Sequence, residues 1–210
     1  VCIGVPIAIV ITFIEIPFRK LWLVILLTPL AIPSYIGAFA LYAAFGAGGE
    51  LDSFLPFTPP SIEGLAGTVL VLSLYTYPFV VLTTRASLLR IDQSQLHASR
   101  TLGLGLMVSL WKVVIPRIKN GIAGGALLAG LYAISDFGTP AILGVNTYTR
   151  AIYVEYNSFG LSQAAGLSLQ LILLVGILLL FEAQAKVPRT PPGKMILIKP
   201  SAIQKIGFLS

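Results

Sequence analysis

Charge is what this sequence has least of. Only 10% of its 210 residues are charged, where an ordinary soluble domain carries about 25%. A soluble core of this length needs a charged shell, so the scarcity argues against that class and makes lipid the expected solvent. The 56% hydrophobic content and the mean hydropathy of +0.91 point the same way. Cys2 is the single cysteine, which excludes an internal disulfide and a cysteine-based metal set. His97 is the single histidine and no Cys, His or carboxylate cluster joins it, so no metal site is expected. Without a nucleophile–base pair there is no case for catalysis within the chain. Without a GxxxxGK[ST] stretch there is no P-loop, so the chain is expected to bind no cofactor itself. The basic n-region and small-residue cleavage site of a secretory signal are missing as well.

The basic excess has its own limits. The net charge of +6 and pI near 9.6 do not indicate nucleic acid, which needs a continuous basic surface. Here the basic residues gather at the ends of apolar runs, the pattern of a bilayer protein. If the loops around Arg19, from Arg85 to Lys119, and after Lys186 share the cytoplasmic side, thirteen of the fourteen Lys/Arg face the cytoplasm and only Arg150 lies outside. That satisfies the positive-inside rule, and an inverted topology breaks it nearly everywhere.

The expected fold class is therefore all-α: a polytopic membrane helix bundle of about five spans. The first, Val1 to Phe13, reads as the truncated end of a helix, since a span needs about 20 residues. Val1 already stands inside an apolar run, so the chain reads as a piece of something longer. Leu21 to Gly46 is long enough to cross with tilt, about 39 Å at 1.5 Å per residue. Pro29 and Pro33 sit inside it, and Ser34 and Tyr35 supply polarity beside the kink; the alternative is a plain packing kink. A Gly- and Pro-rich connector with Glu50, Asp52 and Glu63 but no Lys or Arg leads to the span Leu65 to Leu89. Thr76 to Pro78, flanked by Tyr75 and Tyr77, is expected to break that span. Gly121 to Ser135 starts the next crossing, and Asp136, Gly138 and Pro140 predict a broken or re-entrant segment through Leu143. Tyr148, Tyr153 and Tyr156 mark a short interfacial helix. Ala164 to Phe181 is the last clean span. Residues 1–186 are expected to form one transmembrane domain, and 187–210 a cytoplasmic basic, Pro-rich linker that turns apolar again as though another segment were to follow.

Gly121, Gly125 and Ala129 recur every four residues, with Ala133 following, and form a smooth helix-packing stripe. Ser34, Tyr35, Tyr75, Tyr77, Ser135 and Asp136 are the candidate lining of a substrate path. Asp136 admits two readings. Intramembrane carboxylates are costly and usually functional, but Ser135, Gly138 and Pro140 suit an acid that caps a helix at the water interface. A proton- or ion-coupled carrier would also want such an acid.

The stretch from Leu96 to Gly125 gathers Arg100, Lys112, Arg117 and Lys119 beside the small residues Ala98, Ser99 and Gly103. Within it, Leu106 to Ile115 is expected to lie along the membrane surface as an amphipathic run that Pro116 ends. It reads His97-Ala98-Ser99, three residues, Gly103, nine residues, then Val113-Val114-Ile115-Pro116. This resembles the cytoplasmic loop of permease subunits of type I binding-protein-dependent ABC importers, whose pattern is EAA, three residues, Gly, nine residues, then I-x-L-P. The spacing matches throughout. His97 replaces the acid, Ser99 the second alanine and Ile115 the leucine. PLAIPSYIGAFAL, LYTYPFV and SDFGTPAILGVNTYTRAIYVEY are similar to iron(III) importer permeases, in which one polypeptide holds two homologous halves. Thiamine, phosphonate and polyamine permeases share the loop.

The resemblance implies a multi-pass protein of the bacterial inner membrane, with the Leu96–Pro116 loop and the tail cytoplasmic. His97, Ala98, Ser99, Arg100, Gly103 and Pro116 would form a coupling element for a cytoplasmic ABC ATPase dimer, which holds ATP and Mg. A periplasmic substrate-binding protein and a second permease half complete the machine. Iron(III) is the expected cargo.

Overall fold

The computed structural model describes residues 1–14, 16–46, 49–50, 62–91, 103 and 105–185. Those residues are helical or connecting, with no strand among them. The helices are α1 Gly4–Phe13, α2 Arg19–Leu27, α3 Ser34–Phe45, α4 Gly64–Leu88, α5 Leu106–Ser109, α6 Ile115–Ser135, α7 Gly138–Ile142, α8 Tyr148–Asn157 and α9 Leu161–Ala185. A 3₁₀ turn, Thr28–Ala31, follows α2, and a π-helical turn, Leu110–Val114, joins α5 to α6.

Two helices are long and apolar enough to cross a membrane, α4 and α9, or three if the bent pair Arg19–Ala31 and Ser34–Phe45 is one span. α1 is apolar but has ten residues. α6 has 21 residues, with four glycines and two basic residues that make it less apolar than α9.

The prolines act differently from one another. At Pro33 the chain breaks: the helices on either side are bent by 92°. Pro29 sits in the tight 3₁₀ turn, and Pro33 stands just before α3, where a missing N–H costs nothing. At Pro78 the expected break does not occur. α4 runs from Gly64 to Leu88 straight through a fully buried Pro78. One lost backbone bond is tolerable inside a helix whose neighbours hold it.

Pro116 also differs from expectation. It does not end a helix but occupies the second position of α6. The π turn makes this possible. The Ile115 N–H reaches back five residues to the Leu110 carbonyl, and the widened turn relieves the ridge that a proline ring otherwise strikes. The widening also sets the burial. Five residues in an ordinary α-helix rotate a side chain about 140° off its starting face. Here Ser109 and Val114, five apart, are both fully buried, as is Ile118 four further on.

Contacts divide the chain into two units, and α4 and α6 contribute to both. Unit 1 comprises Val1–Leu26, Tyr77–Leu128 and Gln184–Ser210. Its core is Ala8, Val81, Leu88, Val114 and Ile118, with Ile7, Phe13, Leu110 and Ile122 around it. Small residues let its backbones close up. A Cβ on Gly4 would lie 2.7 Å from the Val80 Cβ, and one on Gly125 would lie 2.7 Å from the Val80 Cα. Gly121 stands equally tight against Ser87 and the Thr83 carbonyl.

Unit 2 comprises Leu27–Thr76 and Ala129–Ala183. Ala38, Val71 and Leu143 form its core, with Leu41, Ile62, Tyr75 and Ile142 against them. Gly64 starts α4 with φ +77°, and its N–H donates to the Leu143 carbonyl at 2.8 Å. Hydroxyls inside the long helices return to their own backbone: Thr68 to Gly64, Thr76 to Leu72 and Ser168 to Ala164, at 2.9, 2.7 and 2.8 Å. This removes the cost of carrying Ser and Thr into an apolar surround.

Candidate functional site

The polar centre of unit 2 is the break between α6 and α7. α6 stops at Ser135 and α7 begins at Gly138, with Asp136 and Phe137 between them. The Asp136 N–H still donates to the Tyr132 carbonyl at 2.9 Å, and the Phe137 carbonyl still accepts from the Ala141 N–H at 3.1 Å. Ser34, the first residue of α3 and only 3% exposed, donates its hydroxyl to Asp136 Oδ1 at 3.1 Å. The carboxylate therefore stands at the positive end of α3, a favourable place for an anion. Its second oxygen, Oδ2, is buried without a hydrogen-bond partner among the described residues, and so is the hydroxyl of fully buried Thr139 one turn on. The Asp136 carbonyl accepts from the Thr149 hydroxyl at 3.0 Å, and Thr149 is in turn 2.9 Å from the Thr147 hydroxyl. Thr147 caps α8 through the Arg150 N–H. One residue thus ties three elements together at a point where the backbone is irregular.

The other candidate path residues divide between the two units. Tyr35 follows Ser34 and packs on Gly138, whose missing side chain makes the room. Tyr75 lies against Gly37 in the same way. Ser135 is exposed and donates to its own helix at the Tyr132 carbonyl, 3.0 Å away. Tyr77 belongs to unit 1, where its hydroxyl donates to the Leu26 carbonyl at 2.9 Å. That carbonyl stands where α2 gives way to the 3₁₀ turn and loses its α-helical acceptor role. Thr139 and Thr149 were not singled out in the sequence. A hydroxyl three residues from a lone acid is a weak signal, and one thirteen residues away is none until the chain's return along α8 gives it meaning.

Beside the break lies an open groove of about 510 Å³, lined by Phe137, Thr149, Tyr153, Tyr156, Leu161 and Ser168 among others. The Phe137 and Tyr153 rings are 4.8 Å apart, centroid to centroid, and tilted by 46°.

In unit 1, His97, Ala98, Ser99 and Arg100 lie outside the described residues. Gly103 is described: it is exposed, with φ +81° and open space where a Cβ would be. From there α5 and the π turn show a mixed surface. Met107 and Trp111 are 67% and 66% exposed, and Lys112, Pro116, Arg117 and Lys119 are exposed beside them.

A family model for the inner membrane component of binding-protein-dependent transport systems matches residues 3–188. The chain belongs to this family. Curated relatives of the permease include the Fe(3+)-transport system permease protein FbpB 2 of Haemophilus influenzae, 31% identical over 154 residues, which are 73% of this chain and 28% of that protein. A probable molybdenum ABC transporter permease of Haloferax volcanii is 30% identical over 87% of this chain and 68% of its own length. The sulfate permease CysW of Synechocystis is 27% identical over 80% of this chain and 63% of its own length. The chain thus spans about a quarter to two thirds of these relatives. Among solved structures, the MetNI methionine ABC transporter in inward-facing form matches with a TM-score of 0.64 at 18% identity, covering 88% of this chain and 84% of that one. The permease therefore has the fold of an ABC importer's membrane subunit.

Proposed function

We propose that the chain is one repeat of the permease of an ATP-driven importer, that it forms half of the substrate path, and that its cargo is iron(III). The observation that carries the class is the family match over residues 3–188, which contains both the loop spacing and the Asp136 break. A binding protein outside the membrane delivers cargo, a dimer of cytoplasmic ATPases carrying ATP and Mg supplies the energy, and a second permease half closes the path. The exposed surface from Gly103 to Lys119, following His97, Ala98, Ser99 and Arg100, is the part offered to the ATPase. A left-handed glycine ahead of a short helix with Met107 and Trp111 outward suits insertion into another protein's cleft.

Two observations support iron(III) within that class. One is the similarity to FbpB 2. The other is the chemistry of the break: Asp136 offers a carboxylate oxygen without a partner among the described residues, which attracts a cation and repels oxyanions such as the sulfate and molybdate for which other relatives are named. Irregular backbone at Pro29–Pro33 and at Asp136–Phe137 can line a polar path only where protein or water satisfies it, as happens in membrane transporters. The reading of Asp136 as the coupling acid of a proton-driven carrier has no support beyond the residue itself. The test is uptake of ⁵⁵Fe(III), ⁹⁹Mo-molybdate and ³⁵S-sulfate by vesicles holding the complete transporter with its ATPase and binding protein. ATP-dependent iron uptake is expected; uptake of an oxyanion in its place would overturn the cargo.

A further inference from the structure

We infer that Arg19 and Arg85 form a headgroup site for an anionic phospholipid, with the exposed face of α2 as the bed for its acyl chains. Arg19 opens α2 and Arg85 lies in the last turn of α4, both in unit 1. Phe13 of α1 packs in the same core as Leu88, one turn beyond Arg85, which brings the end of α1 and the last turn of α4 to the same end of unit 1. Arg19 Nη2 donates to the Thr12 carbonyl at 3.3 Å, which fixes the guanidinium at the end of α1. The Nε of each arginine is buried and has no hydrogen-bond partner among the described residues. Two neighbouring cations with shielded, unused donors are unfavourable until an anion joins them. A phosphodiester is the fitting anion, because its two free oxygens match two guanidinium forks at once.

The surroundings select a lipid over a soluble phosphate. No residue of α2 is buried. Leu21, Trp22, Val24 and Ile25 are 57%, 47%, 65% and 49% exposed, and Phe18, held at φ +56°, is 80% exposed. An apolar strip therefore begins within one turn of the paired charges. Inorganic phosphate would leave that strip uncovered, while a phospholipid meets both at once. Trp22 lies one turn from Arg19 in α2, and indole rings favour the headgroup boundary. Lys20, exposed beside Arg19, adds to the attraction for an anionic leaflet. The site is independent of the cargo and of ATPase docking.

The test uses the complete transporter, purified in detergent, with native mass spectrometry of bound phosphatidylglycerol against phosphatidylcholine. Phosphatidylglycerol is expected to bind in preference. Each of Arg19→Gln and Arg85→Gln should weaken it about fivefold, the equivalent of about 1 kcal/mol per basic residue at a membrane surface. Arg90→Gln, on an exposed residue outside the pair, should leave it within about twofold. Either arginine variant alone suffices, should the other fail to assemble. Equal binding of the two lipids would overturn the proposal. So would displacement of phosphatidylglycerol by millimolar inorganic phosphate, which would make the pair a simple anion site. Glu15 stands four positions before Arg19 in the sequence, outside the described residues. A lipid preference that emerges only in Glu15→Gln would also overturn the proposal, because the chain's own carboxylate would then be the occupant.

Discussion

The two units of the permease share the return of Ser and Thr hydroxyls to their own helices and differ in whether the backbone is closely packed or interrupted. Around the core of unit 1, backbones close up at Gly4, Gly121 and Gly125, the packing is aliphatic, and Thr83 returns its hydroxyl to its own helix at the Phe79 carbonyl. In unit 2 the backbone is interrupted at Pro33 and again at Asp136, and side chains 102 residues apart in sequence meet in the Ser34–Asp136 hydrogen bond. A membrane surround gives helices little hydrophobic reason to associate, so close approach at small residues holds one unit together. Broken helices are costly in the same surround and persist where polar partners compensate them. The contrast separates a part built to stay packed from a part built to present polar groups.

Changes at the loop should break this contrast most visibly. Gly103→Trp is expected to leave the complete transporter inserted and assembled but to abolish stimulated ATP hydrolysis. Gly103→Ala meets no neighbour and bears only the left-handed backbone cost of about 1–2 kcal/mol, so it should retain most of the activity. ATPase assays on both variants in proteoliposomes compare shape with backbone strain.

Next in size is the packing of unit 1. Gly125→Leu forces a side chain into the backbone of α4 at Val80, and overpacking of this kind costs about 1–3 kcal/mol or more. A thermal melt of the detergent-solubilised transporter should show the loss, while Gly124→Leu, with open space at its Cβ, should not.

The break in unit 2 should respond in function before stability. Asp136→Asn keeps an acceptor for Ser34 but removes the charge, so uptake should fall while the melt stays close to the parent. Ser34→Ala removes a hydrogen bond to a charged group, worth about 1.5–3 kcal/mol, and should lower both. If Asp136→Asn transports normally, the carboxylate is a cap rather than part of the path. The smallest effect belongs to Thr76→Val. Its hydroxyl serves only the Leu72 carbonyl of its own helix, and removing such a back-bond should change stability by less than about 0.5 kcal/mol.

Much of this architecture could be seen in the sequence where one residue imposes a local consequence. Pro33 forbids a straight helix. Asp136 with Gly138 and Pro140 stops one, and the loop spacing is a matter of counting. Pro78 and Pro116 defeated the same reasoning, because whether a proline breaks a helix depends on what surrounds it. Pro78 is held inside a packed helix, and Pro116 is accommodated by a π turn that no residue pattern announces. The Ser34–Asp136 pair and the role of Thr149 depend on chain segments far apart in sequence. Composition and periodicity do not carry that information. Nor did Tyr77 look different from Tyr75, although one spends its hydroxyl on a backbone carbonyl and the other lies against Gly37.

The most direct test of the account is iron(III) uptake by proteoliposomes that contain the complete transporter, its ATPase and its binding protein, measured with ATP inside and no ion gradient. Uptake that requires ATP hydrolysis and is lost in Gly103→Trp is the predicted result. Uptake driven by a proton gradient without ATP, or ATP-driven uptake undisturbed by Gly103→Trp, would contradict it.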